Sequence, residues 1–210
     1  MFTGIVQSIG EIAAIDKNGD WVVEIVADKL PLDKTPIGAS IACNGICLTV
    51  VEIKPQSRLR ETQSSRGIFK VQVSTETLSC TTALHWKPGV KLNLEPALHA
   101  GDELGGHIVS GHIDGITQLK DKRPEGNSLR CTFEVPHEFA KFIAPKGSVA
   151  LDGVSLTINE VQGNRFGVNL IPYTLAHTTL GALKPGDEVN FEIDLMARYA
   201  ERLLEQRAVS

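Results

Sequence analysis

The sequence predicts an all-β protein: two similar small barrels in tandem, each with a short helix, followed by a C-terminal α-helix. Three observations carry that prediction. The chain repeats itself, its apolar runs are short and rich in β-branched residues, and only its last stretch is dense in good helix formers. A composition that is 42% hydrophobic and 22% charged over 210 residues leaves enough apolar material for such cores and shows no bias toward disorder.

The repeat is legible in blocks. SIACNGICLTV (40–50) lies over SVALDGVSLTI (148–158), an offset of 108 residues. FKVQVSTETLSCTTA (69–83) lies over FGVNLIPYTLAHTTL (166–180), and KPGVKLNLE (87–95) over KPGDEVNFE (184–192), both at an offset of 97. The offset drops because the first copy is longer in the polar stretch 54–67, KPQSRLRETQSSRG, which reads as an exposed hairpin extension. TGIVQ (3–7) lies over SGHID (110–114), so the copies also begin alike. The resulting division is a first barrel over 1–97, a second over 98–194 and a tail over 195–210.

Within each copy, runs such as WVVEIV (21–26), KVQV (70–73), VAL (149–151) and NFEI (190–193) alternate or are β-branched, and Gly, Pro, Asn and Asp punctuate them, as barrel strands require. Asn44 and Asp152 each precede a glycine and read as turn formers. One helix per copy is expected over 77–84 and 174–180, each stopped by the Lys-Pro-Gly that follows. In the tail, Met196, Tyr199, Leu203 and Gln206 fall on one stripe of a helix that either packs back or joins other subunits, with self-association the favoured reading. Asp194, at the end of the last strand, reads equally as a cap for that helix or as a site residue.

Charge and motifs exclude several classes. A net charge of -4, with no dense Lys/Arg cluster, argues against a nucleic-acid partner. No apolar run is long enough to span a membrane and the opening MFTGIVQSIGEI has no signal-peptide pattern, so a cytoplasmic location without membrane partners is expected. Cys43, Cys47, Cys80 and Cys131 form no CxxC pair and have no histidines at zinc-finger spacing, so reduced thiols and no structural metal are expected. GGHIVSGHIDG (105–115) could be a metal site, a catalytic pair or a glycine-bent strand. His107 and His112 are an odd number of residues apart, and on a regular strand they face opposite ways and cannot share one metal.

MFTGIV, CNGICLTV, GGHIVSGHIDG, LDGVSLT and IPYTLAHTTLG, in that order on a duplicated plan, resemble the riboflavin synthase α-chain family from residue 1 to residue 194. The resemblance implies two six-stranded Greek-key barrels and a tail helix that joins three subunits into a homotrimer. It implies a transferase that dismutates two molecules of 6,7-dimethyl-8-ribityllumazine by moving a four-carbon unit, giving riboflavin and 5-amino-6-ribitylaminouracil, with no cofactor. It also implies a productive site between the first barrel of one subunit and the second barrel of a neighbour. Non-catalytic lumazine- or flavin-binding proteins of the same fold are the alternative. A flavin-linked reductase lacks support, because no G-x-G-x-x-G follows a strand.

Carried onto this chain, the family's substrate-binding positions are Gly4, Ile5, Val6, Cys47, Leu48, Thr49, Ser74, Thr75, Glu76 and Thr77 in the first barrel. In the second they are Gly111, His112, Ile113, Lys146, Ser155, Leu156, Thr157, Ile171, Pro172, Tyr173 and Thr174. Backbone edges and hydroxyls suit the carbonyl and ring-nitrogen groups of a pteridinedione. The copies disagree at polar places, Cys47 over Ser155 and Ile5 over His112, as a reaction that treats two identical substrates differently would demand. Cys47, His107, His112 and Ser155 are the catalytic candidates, with Thr49 and Thr157 as positioning hydroxyls. From the residues alone, Cys47 reads as well as a small core residue, Thr49 and Thr157 as ordinary strand residues, and Lys146 as a solvated lysine. His85, His99, His137 and His177 read as surface or structural. Tyr173 stands where the family often has Glu, the counterpart of Glu76, so a carboxylate contact is missing from the second copy.

Overall fold

The computed structural model describes residues 1–55 and 66–208, so the tip of the 54–67 extension lies outside the described residues. Strands β1 (Ser8–Asp16), β2 (Trp21–Asp28), β3 (Ser40–Cys43), β4 (Ile46–Pro55), β5 (Arg66–Val73) and β6 (Lys91–Pro96) close into an antiparallel barrel in the order β1-β2-β5-β4-β3-β6. Strands β7 (Gly115–Glu125), β8 (Ser128–Glu134), β9 (Ser148–Leu151), β10 (Val154–Gln162), β11 (Arg165–Leu170) and β12 (Glu188–Ile193) close in the corresponding order β7-β8-β11-β10-β9-β12. In each barrel a hairpin, β3-β4 or β9-β10, is inserted between strands that follow it in sequence, which is the Greek-key connection.

Alternation builds the cores. Val23, Ile25, Ala27, Phe69, Val71 and Val73 face into the first barrel, while Phe133, Phe166 and Phe191 make the second core more aromatic. Register shifts recur at matching places, Val50/Glu52 in β4 and Ile158/Glu160 in β10, and bend both strands around their barrels.

The helices depart from the expected single segments. Helix α1 (Thr75–Cys80) and α2 (Pro172–His177) each stop at a threonine in extended conformation, and a separate 3-10 turn follows, Thr82–His85 or Thr179–Ala182. Thr81 causes the break in the first copy: its hydroxyl donates to the Thr77 carbonyl and accepts from the Ala83 amide, so the side chain substitutes for the next helical turn. Thr178 makes the same pair of bonds in the second. Helix α3 (Leu195–Ala208) begins with Asp194 capping the Met196 amide at 2.9 Å. Arg198 anchors it to Asp114 at 2.8 Å, and Met196, Tyr199 and Leu203 remain exposed.

A pseudo-twofold axis relates the barrels, and polar groups knit them. Asn93 Nδ2 donates to the Asp152 carbonyl at 3.0 Å, and Asn190 Nδ2 donates to the Asn44 carbonyl at 2.9 Å. The side-chain oxygens of the same asparagines accept from the amides of Thr179 and Thr82, both at 2.8 Å, so each buried side-chain amide both donates and accepts across the boundary. The Asn44-Gly45 and Asp152-Gly153 turns meet on the axis. A Cβ on Gly45 would lie 2.7 Å from the Gly153 nitrogen, so the two turns can approach this closely only as glycines.

Candidate active site

Each barrel leaves one strand edge unpaired near the axis. β10 pairs with β11 only from Ile158 onward, and β4 pairs with β5 only from Val50 onward, so the first halves of β10 and β4 have a free edge. Two extended arms fill these edges, running antiparallel through a Phe2–Val109 bridge whose amide bonds are 2.7 and 3.1 Å. They do so crosswise. The arm of the first barrel carries Gly4, whose carbonyl accepts from the Ser155 amide at 2.8 Å, and Val6, which packs on the second core. The arm of the second barrel carries Gly111, whose carbonyl accepts from the Cys47 amide at 2.9 Å, and Ile113, which packs on the first core. Backbone contact this close excludes a side chain: a Cβ on Gly4 or Gly111 would come within 2.5 or 2.6 Å of the Cβ of Ser155 or Cys47.

The crossing corrects the grouping expected from the repeat. Gly4, Ile5 and Val6 lie with Ser155, Leu156 and Thr157, and Gly111, His112 and Ile113 lie with Cys47, Leu48 and Thr49. Aligning the copies shows which residues correspond, but the partner edge is fixed by the axis between the copies. His112 therefore stands exposed beside the first barrel's cleft, not in the second barrel's pocket.

The second cleft has the more developed chemistry. Ser155 points outward between core residues Val154 and Leu156, and its Oγ is 2.7 Å from His107 Nδ1. The His107 amide donates to the Thr3 carbonyl at 3.2 Å, which ties the imidazole's backbone to the crossing arm. His107 Nε2 is buried without a hydrogen-bond partner. Burial pulls the imidazole below its ordinary pKa, which favours the neutral ring, and the Asp194 carboxylate opposes this in part. A neutral imidazole on a serine hydroxyl can take that hydroxyl's proton.

Around this pair, Thr157 is exposed on the outer face of β10, and Lys146, at a φ of 67°, leads into β9 with its amide bonded to the Ile158 carbonyl. Ile171, Pro172 and Tyr173 are exposed where β11 gives way to α2, and Thr174 is half-buried. Tyr173 stacks on His177 with ring centroids 4.0 Å apart, so His177 belongs to the rim of this cleft. Asn169 was not singled out by sequence. Its Oδ1 is buried and unpartnered on the outer face of β11, one register step from the Ile158–Val168 pair. The signal available was a polar residue recurring just before IPYT and STET, as Asn169 and Gln72.

The first cleft is plainer. Cys47 is half-buried and outward, with Thr49 exposed beside it. Ser74 Oγ caps α1 by accepting from the Thr77 amide at 3.2 Å and lies 3.0 Å from Thr77 Oγ1. Thr75 and Glu76 are exposed at that helix start. Among the described residues, no group of three or more His, Cys, Asp and Glu side chains is gathered as a metal site would need.

Two barrels with crossed arms, each offering an outward thiol or hydroxyl on a strand edge covered by the other's arm, define a tandem small-molecule-handling protein with paired, unlike clefts. The comparisons narrow that class. The lumazine binding domain matches residues 3–97 and again 110–194, and the chain belongs to this family. It is 46% identical over 203 residues to the riboflavin synthase of Brucella abortus, covering 97% of this chain and 98% of that protein. It is 42% identical over 205 residues to the riboflavin synthase of Photobacterium phosphoreum, covering 97% and 89%. Among solved structures, LumP complexed with 6,7-dimethyl-8-(1'-D-ribityl) lumazine superposes with a TM-score of 0.76 at 26% identity, covering 92% of this chain and 99% of LumP. LumP complexed with riboflavin superposes equally well at 28% identity.

Proposed function

We propose that this chain is a riboflavin synthase: a transferase that converts two molecules of 6,7-dimethyl-8-ribityllumazine into riboflavin and 5-amino-6-ribitylaminouracil by moving a four-carbon unit. Full-length similarity to riboflavin synthases supports the reaction. The single observation that carries the catalytic reading is the 2.7 Å contact between Ser155 Oγ and His107 Nδ1 in the second cleft, where the matching place in the first holds the thiol of Cys47. Two identical substrates must meet two different environments, one to accept a nucleophile at C7 and the other to lose a proton from its C7 methyl group. The Ser155–His107 pair supplies a hydroxyl and a proton acceptor, and Cys47 with Thr49 supplies the unlike partner site. Holding both rings in register adds to this, since orientation of two reactants can supply roughly 7 to 11 kcal/mol of a barrier.

The binding groups of the second cleft are Gly4, Ile5, Val6, Lys146, Ser155, Leu156, Thr157 and the residues 171–174. Those of the first are Cys47, Leu48, Thr49, the residues 74–77, Gly111, His112 and Ile113. The exposed stripe of Met196, Tyr199 and Leu203 on α3 joins three subunits, so that unlike clefts of neighbours face each other. The enzyme works in the cytoplasm. No helix among the described residues is long and apolar enough to cross a membrane.

The test is to incubate purified protein with 6,7-dimethyl-8-ribityllumazine and follow riboflavin. Turnover is expected, and binding without turnover makes the chain a non-catalytic lumazine-binding protein of the same fold. Deleting residues 196–210 is expected to lower both the oligomer size, by sedimentation, and the rate. A fully active monomer removes the inter-subunit site.

A further inference from the structure

Each crossing arm is gripped by a buried carboxylate from its own barrel. Glu95 on β6 accepts through Oε1 from the Thr3 amide at 2.6 Å and the Thr3 hydroxyl at 2.8 Å, and through Oε2 from the Gly4 amide at 3.0 Å. Glu192 on β12 repeats the pattern, with the Ser110 amide at 2.7 Å, its hydroxyl at 2.6 Å and the Gly111 amide at 2.9 Å. A carboxylate is tolerated at 5% or 2% exposure only because three donors converge on it.

What the grip positions is on the other barrel. The Thr3 carbonyl accepts from the His107 amide and the Gly4 carbonyl from the Ser155 amide, while the Gly111 carbonyl accepts from the Cys47 amide. Strand pairing alone points the opposite way: Glu95 pairs with Ala42, which pairs with Cys47, and Glu192 pairs with Ala150, which pairs with Ser155. By row, each carboxylate belongs to the cleft of its own barrel. By hydrogen bonds, each serves the other cleft.

We propose that Glu95 is a positioning residue for the Ser155–His107 cleft of the second barrel and Glu192 for the Cys47 cleft of the first, each acting across the barrel boundary through the arm it holds. The proposal rests on the functional reading above only in treating the clefts as substrate sites. Glutamine in either place keeps the shape but turns one carboxylate oxygen into an NH2 group that faces a backbone N–H, so the arm must shift.

The experiment uses the full-length chain in a Cys80→Ser background, which leaves Cys47 as the one partly exposed cysteine, since Cys43 and Cys131 are buried. Glu95→Gln and Glu192→Gln are compared by three readouts. These are the rate at which N-ethylmaleimide alkylates Cys47, the imidazole NMR signals of His107 assigned with a His107→Gln reference, and kcat and KM for 6,7-dimethyl-8-ribityllumazine. Glu192→Gln is expected to change Cys47 alkylation several-fold and leave the His107 signals in place. Glu95→Gln is expected to move the His107 signals and lower kcat more than it raises KM, with Cys47 alkylation unchanged. Thr3→Val and Ser110→Ala, which each remove one hydroxyl bond to the carboxylates, give the same crossed pattern more weakly and stand in if a glutamine variant does not fold. Effects within each carboxylate's own strand row, on both clefts alike or on neither overturn the proposal. The thiol and imidazole readouts need no substrate, so a protein that makes no riboflavin defeats the functional reading while the crossed pattern is still tested.

Discussion

Cys47 and Ser155 hold the same place in the two copies, near the starts of the matched strands β4 and β10, with matched glycine arms bonded to their amides. Their surroundings differ. Ser155 has an imidazole at hydrogen-bond distance, its pKa lowered by burial and its amide fixed to the arm, whereas Cys47 has the exposed His112 in the arm beside it and a helix start whose serine is engaged in capping. Around these two positions the backbone bonds are duplicated, and the difference lies in the outward side chains. Chemistry has been changed where substitution does not disturb the barrel.

The most severe way to break the comparison is to remove the imidazole's partner. Ser155→Ala is expected to lower turnover by about two to four orders of magnitude, the usual worth of a positioned acid or base. Cys47→Ser, which makes the copies alike, is expected to lose less by the same riboflavin assay. Equal losses would mean that the clefts are not chemically distinct.

A second contrast lies on the axis, where Asn44 in one copy faces Asp152 in the other. Burial pushes the Asp152 carboxyl up to about 7 from an ordinary value of 3.8, so ionising it is harder in the folded protein than in the unfolded one. Its influence on stability is most favourable below about pH 4, declines as pH rises toward about 7, and is level above that. Asp152→Asn can still accept from the Asn190 amide, as Asn44 does from Asn93, without the charge. At about 1.4 kcal/mol per unit, the variant is expected to be more stable than its parent by up to a few kcal/mol above neutrality and unchanged near pH 4. Denaturation midpoints at both pH values check this, and a gain that is the same at both refutes it.

The smallest expected effect comes from Tyr173→Glu, which copies Glu76 into the second cleft. Tyr173 is 70% exposed, so a carboxylate there is expected to change KM only about two- to fivefold. Titrating lumazine against both proteins measures it.

The barrels were legible because the signals that specify them are local: alternation in β2 and β5, and Asn-Gly and Asp-Gly at tight turns. The two copies also supported each other's reading. Single helices over 77–84 and 174–180 were not borne out, because Thr81 and Thr178 each use a hydroxyl to end one helical segment and begin another, a choice that helix propensity does not reveal. The residue types of the clefts were legible, but their grouping was not. Gly4 and Gly111 were visible as matching glycines, yet nothing in a repeat states whether an arm folds onto its own barrel or its twin. His107 was legible as a junction residue, and its bond to Ser155 became visible only with the crossing.

The crossed arms also bear on how such a chain can change. A lone barrel of this kind would leave half of β4 without a neighbour and an arm with nothing to lie against, and two of them would satisfy each other around a twofold axis. The present chain is in effect that pair written into one polypeptide. In a pair made from one gene, every substitution appears in both clefts at once. Once the pair is fused, cysteine can stand in one cleft and serine in the other, and two copies of one substrate can be given different fates.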